Sequence, residues 1–529
     1  MLLTGDIPKL NAIKYPNEFA LHYETEISLT WKELDDRINR LANALVDLGV
    51  KQGDRVALLA RNRINCVEAL FACAKIGVIY SPLNYRFTAE EITFVLEDAA
   101  SVVLLCDTEY SEVIRSLSGD VETLKHVVGF GADHGFDLDY EDLLAAASAE
   151  EPVPERPIDF DDVCWICYTG GTTGRSKGVM LTHRNNFAQI INIIVADQVQ
   201  HEDVYLVNGA LFHVVLNMAL PYWYVGAGVV ITDFTPEGCL DLIAHHRVTK
   251  TVPVATMLNL LIDLQRRSPR DLSSLVLMGC GGAPIATDTI RIASEVFGCG
   301  FVQYFGQTEA AHHFTYLSPI DYARGLSPDA TDVERTRLMS GGRAQHICLA
   351  RIVNNKDEPL APNEVGEICG QGPNVMKGYW NKPELTAETL KGGWLHTGDV
   401  GYMDEDGYVY VVDRKKDMIV TGGENVYSAE VEQALYRHDA VLEVAIIGIP
   451  DEKWGEAVTA FVIVREGADA TEDELREHCR QSIAGYKVPK SVVFVDELPK
   501  SATGKIQKAA LREDYWGGEG RMVGASTTE

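Results

Sequence analysis

Tyr168-Thr-Gly-Gly-Thr-Thr-Gly-Arg-Ser-Lys-Gly178 places six consecutive glycines and threonines, Thr169 to Gly174, just ahead of Lys177. Gly170, Gly171 and Gly174 reach backbone angles closed to other residues, so successive N–H groups can converge on phosphate oxygens. Thr169, Thr172 and Thr173 add hydroxyl donors, and Lys177 adds a mobile cation. The run follows Val163-Cys-Trp-Ile-Cys-Tyr168, whose β-branched and aromatic residues predict a strand. It precedes Val179-Met-Leu-Thr-His-Arg-Asn185, which reads as the lead into a helix. A plain glycine-rich turn would explain the glycines alone. Neither Gly-x4-Gly-Lys-Ser/Thr nor the dinucleotide pattern Gly-x-Gly-x-x-Gly is present, so the stretch matches neither of those two phosphate-binding loops.

Working outward, helical and strand signals alternate. Leu34, Ile38, Leu41, Ala42, Leu45 and Leu48 recur at helical spacing over Trp31–Leu48, and Arg55–Leu59 reads as a strand. Cys66–Gly77 and Ala89–Asp98 read as helices, Val78–Tyr80 and Val102–Cys106 as strands. The fold class expected is α/β, with substantial parallel sheet in a large N-terminal domain of packed sheets and helices. Gly407–Gly423 reads as a strand, a charged turn and a second strand. Beyond it, helices are expected over 428–438 and 471–483, with strands at 444–447, 460–464 and 491–495. These make a small α+β C-terminal domain. The expected division is residues 1–413 and 414–529, with a frayed Gly/Ser/Thr-rich tail over 517–529.

Composition bounds the function. The chain has 529 residues, 46% of them hydrophobic and 8% aromatic, which is the balance of a multidomain globular protein. Seventy-seven acidic against 47 basic residues give a formal charge of -30, which argues against general affinity for nucleic acid or an anionic membrane. No leader-like start or apolar run of spanning length is read, so the expectation is a soluble, cytoplasmic protein without integral membrane association. The 11 cysteines are scattered. Cys164-x2-Cys167 lacks a second pair at zinc spacing and reads as core packing.

Four further segments join the glycine-rich loop: Tyr304-Phe-Gly-Gln-Thr-Glu309, Trp394-Leu-His-Thr-Gly-Asp399, Asp413-Arg-Lys-Lys416 and Lys500-Ser-Ala-Thr-Gly-Lys505. In this order the five resemble the adenylate-forming superfamily of acyl-CoA synthetases, luciferases and peptide-synthetase adenylation domains. The likeness runs from about residue 10 to residue 512 and is nearest to fatty-acyl or aryl carboxylate–CoA ligases.

The resemblance implies a ligase that uses ATP, Mg²⁺ and coenzyme A. A carboxylate would attack the α-phosphate to give acyl-AMP and pyrophosphate, and a thiol would then displace AMP. Thr169, Gly170, Gly171, Thr172, Thr173, Gly174 and Lys177 would hold the β- and γ-phosphates. Glu309 would bind Mg²⁺, with Thr173 as a second metal contact, and Thr308 would touch the α-phosphate. Phe305 would stack on adenine opposite Gly281, Gly282, Ala283 and Pro284, with Tyr304, Gly306 and Gln307 in the same nucleotide-binding strand and turn. Asp399 would accept both ribose hydroxyls, Arg414 would lie near the ribose or phosphates, and Lys505 would orient the carboxylate during adenylation. The small domain would swing near 414–416, where Lys416 holds the hinge position. Its rotation would withdraw Lys505 and bring the segment with Gly422, Gly423 and Glu424 to a pantetheine channel. His213 is assigned to the acyl site, near the substrate carboxylate.

Departures from the family pattern shape the expected substrate. Gly171 replaces the usual loop serine and Ser176 the usual proline, which predicts altered phosphate handling. Tyr304 replaces a small residue and would shorten an acyl pocket whose other candidates are Val214, Met218, Trp223, Gly279, His312 and His313. Medium-chain fatty and aromatic acids fit about equally, with long-chain acids or a carrier-protein thiol as alternatives. A homodimer is also left open.

Overall fold

The structure is a computed structural model and describes residues 2–25, 27–117, 121–169, 176–213, 215–281, 285–451, 453–465, 467–500 and 506–516. Its first long helix, Trp31–Asp47, starts where Thr30 and Glu33 form a reciprocal capping box. It buries Trp31, Leu34, Ile38, Leu41, Ala42 and Leu45, as the spacing predicted. The helices read over 66–77 and 89–98 appear at Ile64–Ile76 and Ala89–Ala99. Lys75, buried on the first of them, is held by Asp35 and Glu151, each at 2.9 Å, tying the proline-rich segment Glu151-Pro-Val-Pro-Glu-Arg-Pro157 to the helix layer.

Two large sheets organise the N-terminal part. One has eight strands in the order Gly378–Tyr379, Lys177–Thr182, Val163–Thr169, Ile79–Pro82, Arg55–Leu59, Val103–Asp107, His126–Phe130 and Leu138–Asp139. Its middle is parallel, with Val56 opposite Tyr80 on one side and Val103 on the other. The second has nine strands, in which Gly300–Phe305 runs parallel to Leu277–Gly281 and antiparallel to Thr315–Leu317. Both sheets feed one apolar core, in which Trp165 and Val56 of the first meet Tyr205, Val229 and Val302 of the second. All 11 cysteines are buried free thiols, Cys164 and Cys167 among them.

Residues 179–185 lead into a helix as expected, but by way of a strand that was not read: Lys177–Thr182 is paired antiparallel with Val163–Thr169, and the helix begins at His183 behind a Thr182 cap. The strand is buried at Val179, Leu181 and Thr182, so its core side is fixed by the hairpin partner and not by helical spacing.

The chain divides into two compact units. The first comprises Met1–Ala350, Cys369–Thr397 and Asp406–Val409; the second comprises Arg351–Ile368, Gly398–Glu405 and Tyr410–Glu529. The division is threaded, whereas the sequence boundary was drawn once, at 413/414. Periodicity marks an element but holds no record of which sheet it joins. In the second unit, Val441–Asp451 and Gly455–Val464 form a long antiparallel pair and Ser491–Phe494 adds in parallel. The helices Ser428–Tyr436 and Glu472–Arg480 lie close to the expected spans, and residues 517–529 are outside the described residues. Among the described residues no helix is long and apolar enough to cross a membrane.

Candidate active site

In the first unit, the strand hairpin brings Thr169 opposite Lys177, so these two residues flank the glycine-rich segment; Thr169 Oγ1 donates to the Lys177 carbonyl at 3.5 Å. Residues 170–175, including Gly170, Gly171, Thr172, Thr173 and Gly174, lie outside the described residues. The strand before them is anchored where the Tyr168 hydroxyl donates to Asp98 Oδ2 at 2.7 Å. Trp380 Nε1 donates to the Asp98 carbonyl at 2.8 Å.

The second part is the turn after Gly300–Phe305. Gly281 pairs with Tyr304 across the sheet, and the chain then passes Phe305, Gly306 and Gln307 into the short turn Thr308–Ala310. Gly306 is required here because a Cβ would stand 2.2 Å from His313 Cα. Thr308 is buried and Glu309 half-buried. Glu309 Oε1 accepts from the Tyr379 hydroxyl at 2.7 Å, and Lys177 Nζ lies over the Tyr379 ring, 5.1 Å from its centre. Thr169, Lys177, Thr308 and Glu309 thus belong to one unit, and Tyr379 touches both Lys177 and Glu309. Sequence reading missed Tyr379; Gly378-Tyr-Trp-Asn-Lys-Pro383, an aromatic pair before turn residues, was its only signal.

Phe305 packs on Phe314 at 5.5 Å, and a Cβ on Gly341 would sit 2.8 Å from Phe305 Cβ. Gly282, Ala283 and Pro284 lie outside the described residues, as does Val214. Tyr304 turns inward: it is 4% exposed, and its hydroxyl donates to Asp197 Oδ2 at 2.6 Å. Its ring leaves only 2.7 Å for a Cβ at Gly279 and stacks tilted on His313 at 4.3 Å. Burial pushes the Asp197 carboxyl up to about 7, with Tyr304 and Lys250 pulling the other way. Burial pushes the Tyr304 phenol up too, so it remains a donor.

His213 is half-buried, its ring 6.4 Å from Phe212, and its charge acts on His312. Burial lowers His312 to about 3, with His213 adding to the shift. His313 is fully buried, lowered further by burial and then by His312, and its Nδ1 lies 3.1 Å from Gln189 Nε2. Trp223 is not free to line a pocket. It is fully buried, packs edge-on against Phe71 and donates to the Ala20 carbonyl at 3.1 Å, so its helix face points into the common core. Met218 is buried in the same cluster.

The second unit holds another group of candidates. Asp399 is buried and pairs with Arg414, Nε to Oδ1 at 2.6 Å. The Lys415 N–H donates to the Gly398 carbonyl at 2.9 Å and Lys415 Nζ reaches Glu367 at 3.0 Å, framing Lys416. Gly422 and Gly423 both have positive φ, and Gly422 N donates to the Trp454 carbonyl at 2.7 Å. Glu424 begins the strand paired back on Thr421 and is exposed. Lys505 lies outside the described residues. Its neighbours are fixed by Lys500 to Glu443 and Lys508 to Glu432, each at 2.7 Å.

A family profile described as AMP-binding enzyme matches residues 9–380, and one described as AMP-binding enzyme C-terminal domain matches 430–505. The chain belongs to this family. Similar AMP-binding enzymes include feruloyl-CoA synthase from Amycolatopsis sp, 40% identical, with 97% of this chain and 99% of that protein covered. A fatty acid–[acyl-carrier-protein] ligase from Streptomyces coeruleorubidus is 32% identical, over 94% of this chain and 93% of that protein. The solved o-succinylbenzoate CoA synthetase of Bacillus subtilis, in complex with its acyl-adenylate intermediate, has a TM-score of 0.83 at 30% identity. It covers 96% of this chain and 97% of that one. This AMP-binding enzyme is accordingly an AMP-forming acid–thiol ligase of the acyl-CoA synthetase kind, with a large N-terminal and a smaller C-terminal domain.

Proposed function

We propose that this enzyme joins an aromatic carboxylic acid to coenzyme A. In the first step a carboxylate oxygen bonds to the α-phosphorus of ATP while the α–β bridging bond breaks and pyrophosphate leaves. In the second, the CoA sulfur bonds to the acyl carbon, the bond to AMP oxygen breaks, and the thiol proton passes to solvent. The observation that carries the nucleotide half is the juxtaposition of Thr169 and Lys177 with Glu309 through Tyr379.

Residues 169–174 and Lys177 hold the β- and γ-phosphates, where backbone donors and one cation meet a leaving group that gains charge. Thr308 lies at the α-phosphate, and Phe305, with residues 281–284, brackets adenine beside Tyr304, Gly306 and Gln307. Glu309 suits Mg²⁺: it is a hard oxygen donor with one oxygen held by Tyr379 and the other without a partner among the described residues. Thr173 adds a second oxygen there, and Mg²⁺ bound at this site supplies charge neutralisation of the polyphosphate. Asp399 takes the ribose hydroxyls, with Arg414 as its buttress, and Lys505 orients the carboxylate. Residues 414–416 act as the hinge of a C-terminal domain over 414–529, presenting Gly422, Gly423 and Glu424 for the thiol step.

The aromatic preference has two supports: the Tyr304 ring lies over Gly279 and would shorten an acyl pocket that ran there, and the feruloyl-CoA synthase likeness spans nearly the whole chain. The acyl-carrier-protein ligase relative favours, as a second reading, a carrier-protein thiol in place of CoA. The protein is proposed to act in the cytoplasm. Lys505→Ala tests the division of labour: pyrophosphate exchange should fall by at least about 100-fold while thioester formation from supplied acyl-AMP changes less than about threefold. Equal losses in both half-reactions reject the assigned role.

A further inference from the structure

The strand Gly378–Tyr379 does more than close the edge of the eight-stranded sheet. Its register sets Gly378 opposite Met180 and Tyr379 opposite Val179, and the backbone N–H of Trp380 donates to the Gly178 carbonyl at 2.7 Å. The same segment grips the Thr308–Ala310 turn: Met376 N donates to the Glu309 carbonyl at 2.8 Å, and Asn374 Nδ2 donates to the Ala310 carbonyl at 2.9 Å. Thr386 Oγ1 accepts from Tyr379 N at 2.9 Å, which fixes the ring's own backbone. Residues 374–380 therefore strap the strand that leaves the phosphate loop to the turn that carries Glu309.

We propose that Tyr379 is a positioning residue for adenylation: its hydroxyl holds Glu309 by Oε1 and so reserves Oε2 for the Mg²⁺–nucleotide complex, while its ring face seats Lys177. This rests on the assignment of Glu309 to Mg²⁺ above. The ring is 5% exposed, and Glu309 Oε2 has no other partner among the described residues. A half-buried carboxylate with both oxygens free samples several rotamers, and a charge-assisted hydrogen bond to one oxygen removes most of them.

The test compares full-length wild type, Tyr379→Phe, Glu309→Gln and the double variant. A non-hydrolysable α,β-methylene ATP analogue is titrated calorimetrically with and without Mg²⁺. Tyr379→Phe keeps the ring and its contact with Lys177. The Mg²⁺-dependent gain in affinity should fall about tenfold in this variant while metal-free affinity stays within about twofold. In the Glu309→Gln background the same change should remove no further Mg²⁺ effect beyond about twofold. Thioester formation from supplied acyl-AMP should be unaltered. Equal losses with and without Mg²⁺, or additive losses in the double variant, overturn the positioning role. A wild type whose nucleotide affinity ignores Mg²⁺ overturns the Glu309 assignment as well, whereas a normal wild type with an unchanged Tyr379→Phe overturns this inference alone.

Discussion

Asp197 ends the helix His183–Asp197, where a buried carboxyl has one oxygen bonded by Tyr304 and the other, Oδ1, without a partner among the described residues. Lys250 does not neutralise it directly: its Nζ donates to the Asp197 backbone carbonyl at 3.0 Å and to Asp203 Oδ2 at 2.7 Å. Tyr205 and Tyr222 complete the surroundings, and both phenols are raised by burial first and by Asp197 next. The folded protein thus holds a proton on Asp197 up to about pH 7, which the unfolded chain releases near the ordinary value of 3.8. Between these values the native state binds more protons, so this group's stabilisation is greatest at low pH and is lost as pH rises through 7, by up to about 1.4 kcal/mol per pH unit. Urea midpoints of wild type and Asp197→Asn at pH 5 and 7.5 check this: the wild type should lose more on going to 7.5. Equal pH dependence would show that Asp197 titrates normally. Tyr304 yields a second residue-scale prediction. Tyr304→Gly removes the ring over Gly279, and the ratio of kcat/KM for a long-chain acid over a ring-bearing acid should rise at least about tenfold. An unchanged ratio would place Tyr304 outside the acyl pocket.

Among the elements, the turn after Gly300–Phe305 is where backbone geometry and chemistry meet most closely. Gly306→Ala pushes a methyl to 2.2 Å from His313 Cα and 2.7 Å from the His312 carbonyl, both backbone atoms that lack the freedom of a side-chain tip. Overpacking of that kind costs about 1–3 kcal/mol. Because the turn carries Thr308 and Glu309, pyrophosphate exchange should fall at least about tenfold with the loss of stability, measured side by side with the thermal midpoint. Unchanged exchange would detach the turn from adenylation. Elements of this kind were only partly legible in the sequence. Trp31–Asp47 and Arg55–Leu59 followed from periodicity because each buries one continuous set of side chains. Lys177–Thr182 did not, because its partner is the strand across the loop, and only pairing turns such a short run into a strand. The two-residue strand Gly378–Tyr379 has too few residues to show any period, so the tyrosine at Glu309 emerged only with the fold. Trp223 was misplaced for a related reason: an apolar helix shows what is buried, not which of its faces a ligand shares.

For the whole molecule, a formal charge of -30 sits uneasily with an anionic substrate, an anionic nucleotide and an anionic thiol donor. The cations among and beside the candidate residues are each held in place. Lys177 lies beside Glu309 through a shared tyrosine, Arg414 is paired to Asp399, and Lys500 and Lys508 fix the chain on both sides of Lys505. Five segments in their order sufficed to reveal the family, whose profiles match residues 9–380 and 430–505. The threaded partition of residues 351–409 between two units is a matter of packing and left no such mark. The most direct test of the central claim is ATP-dependent thioester formation with CoA. A panel of benzoate-like, cinnamate-like, medium-chain and long-chain acids would be assayed, with AMP and pyrophosphate counted against thioester. The account predicts equimolar AMP, pyrophosphate and acyl-CoA with a ring-bearing optimum. A long-chain optimum, or acyl-AMP that never passes to CoA, would contradict it.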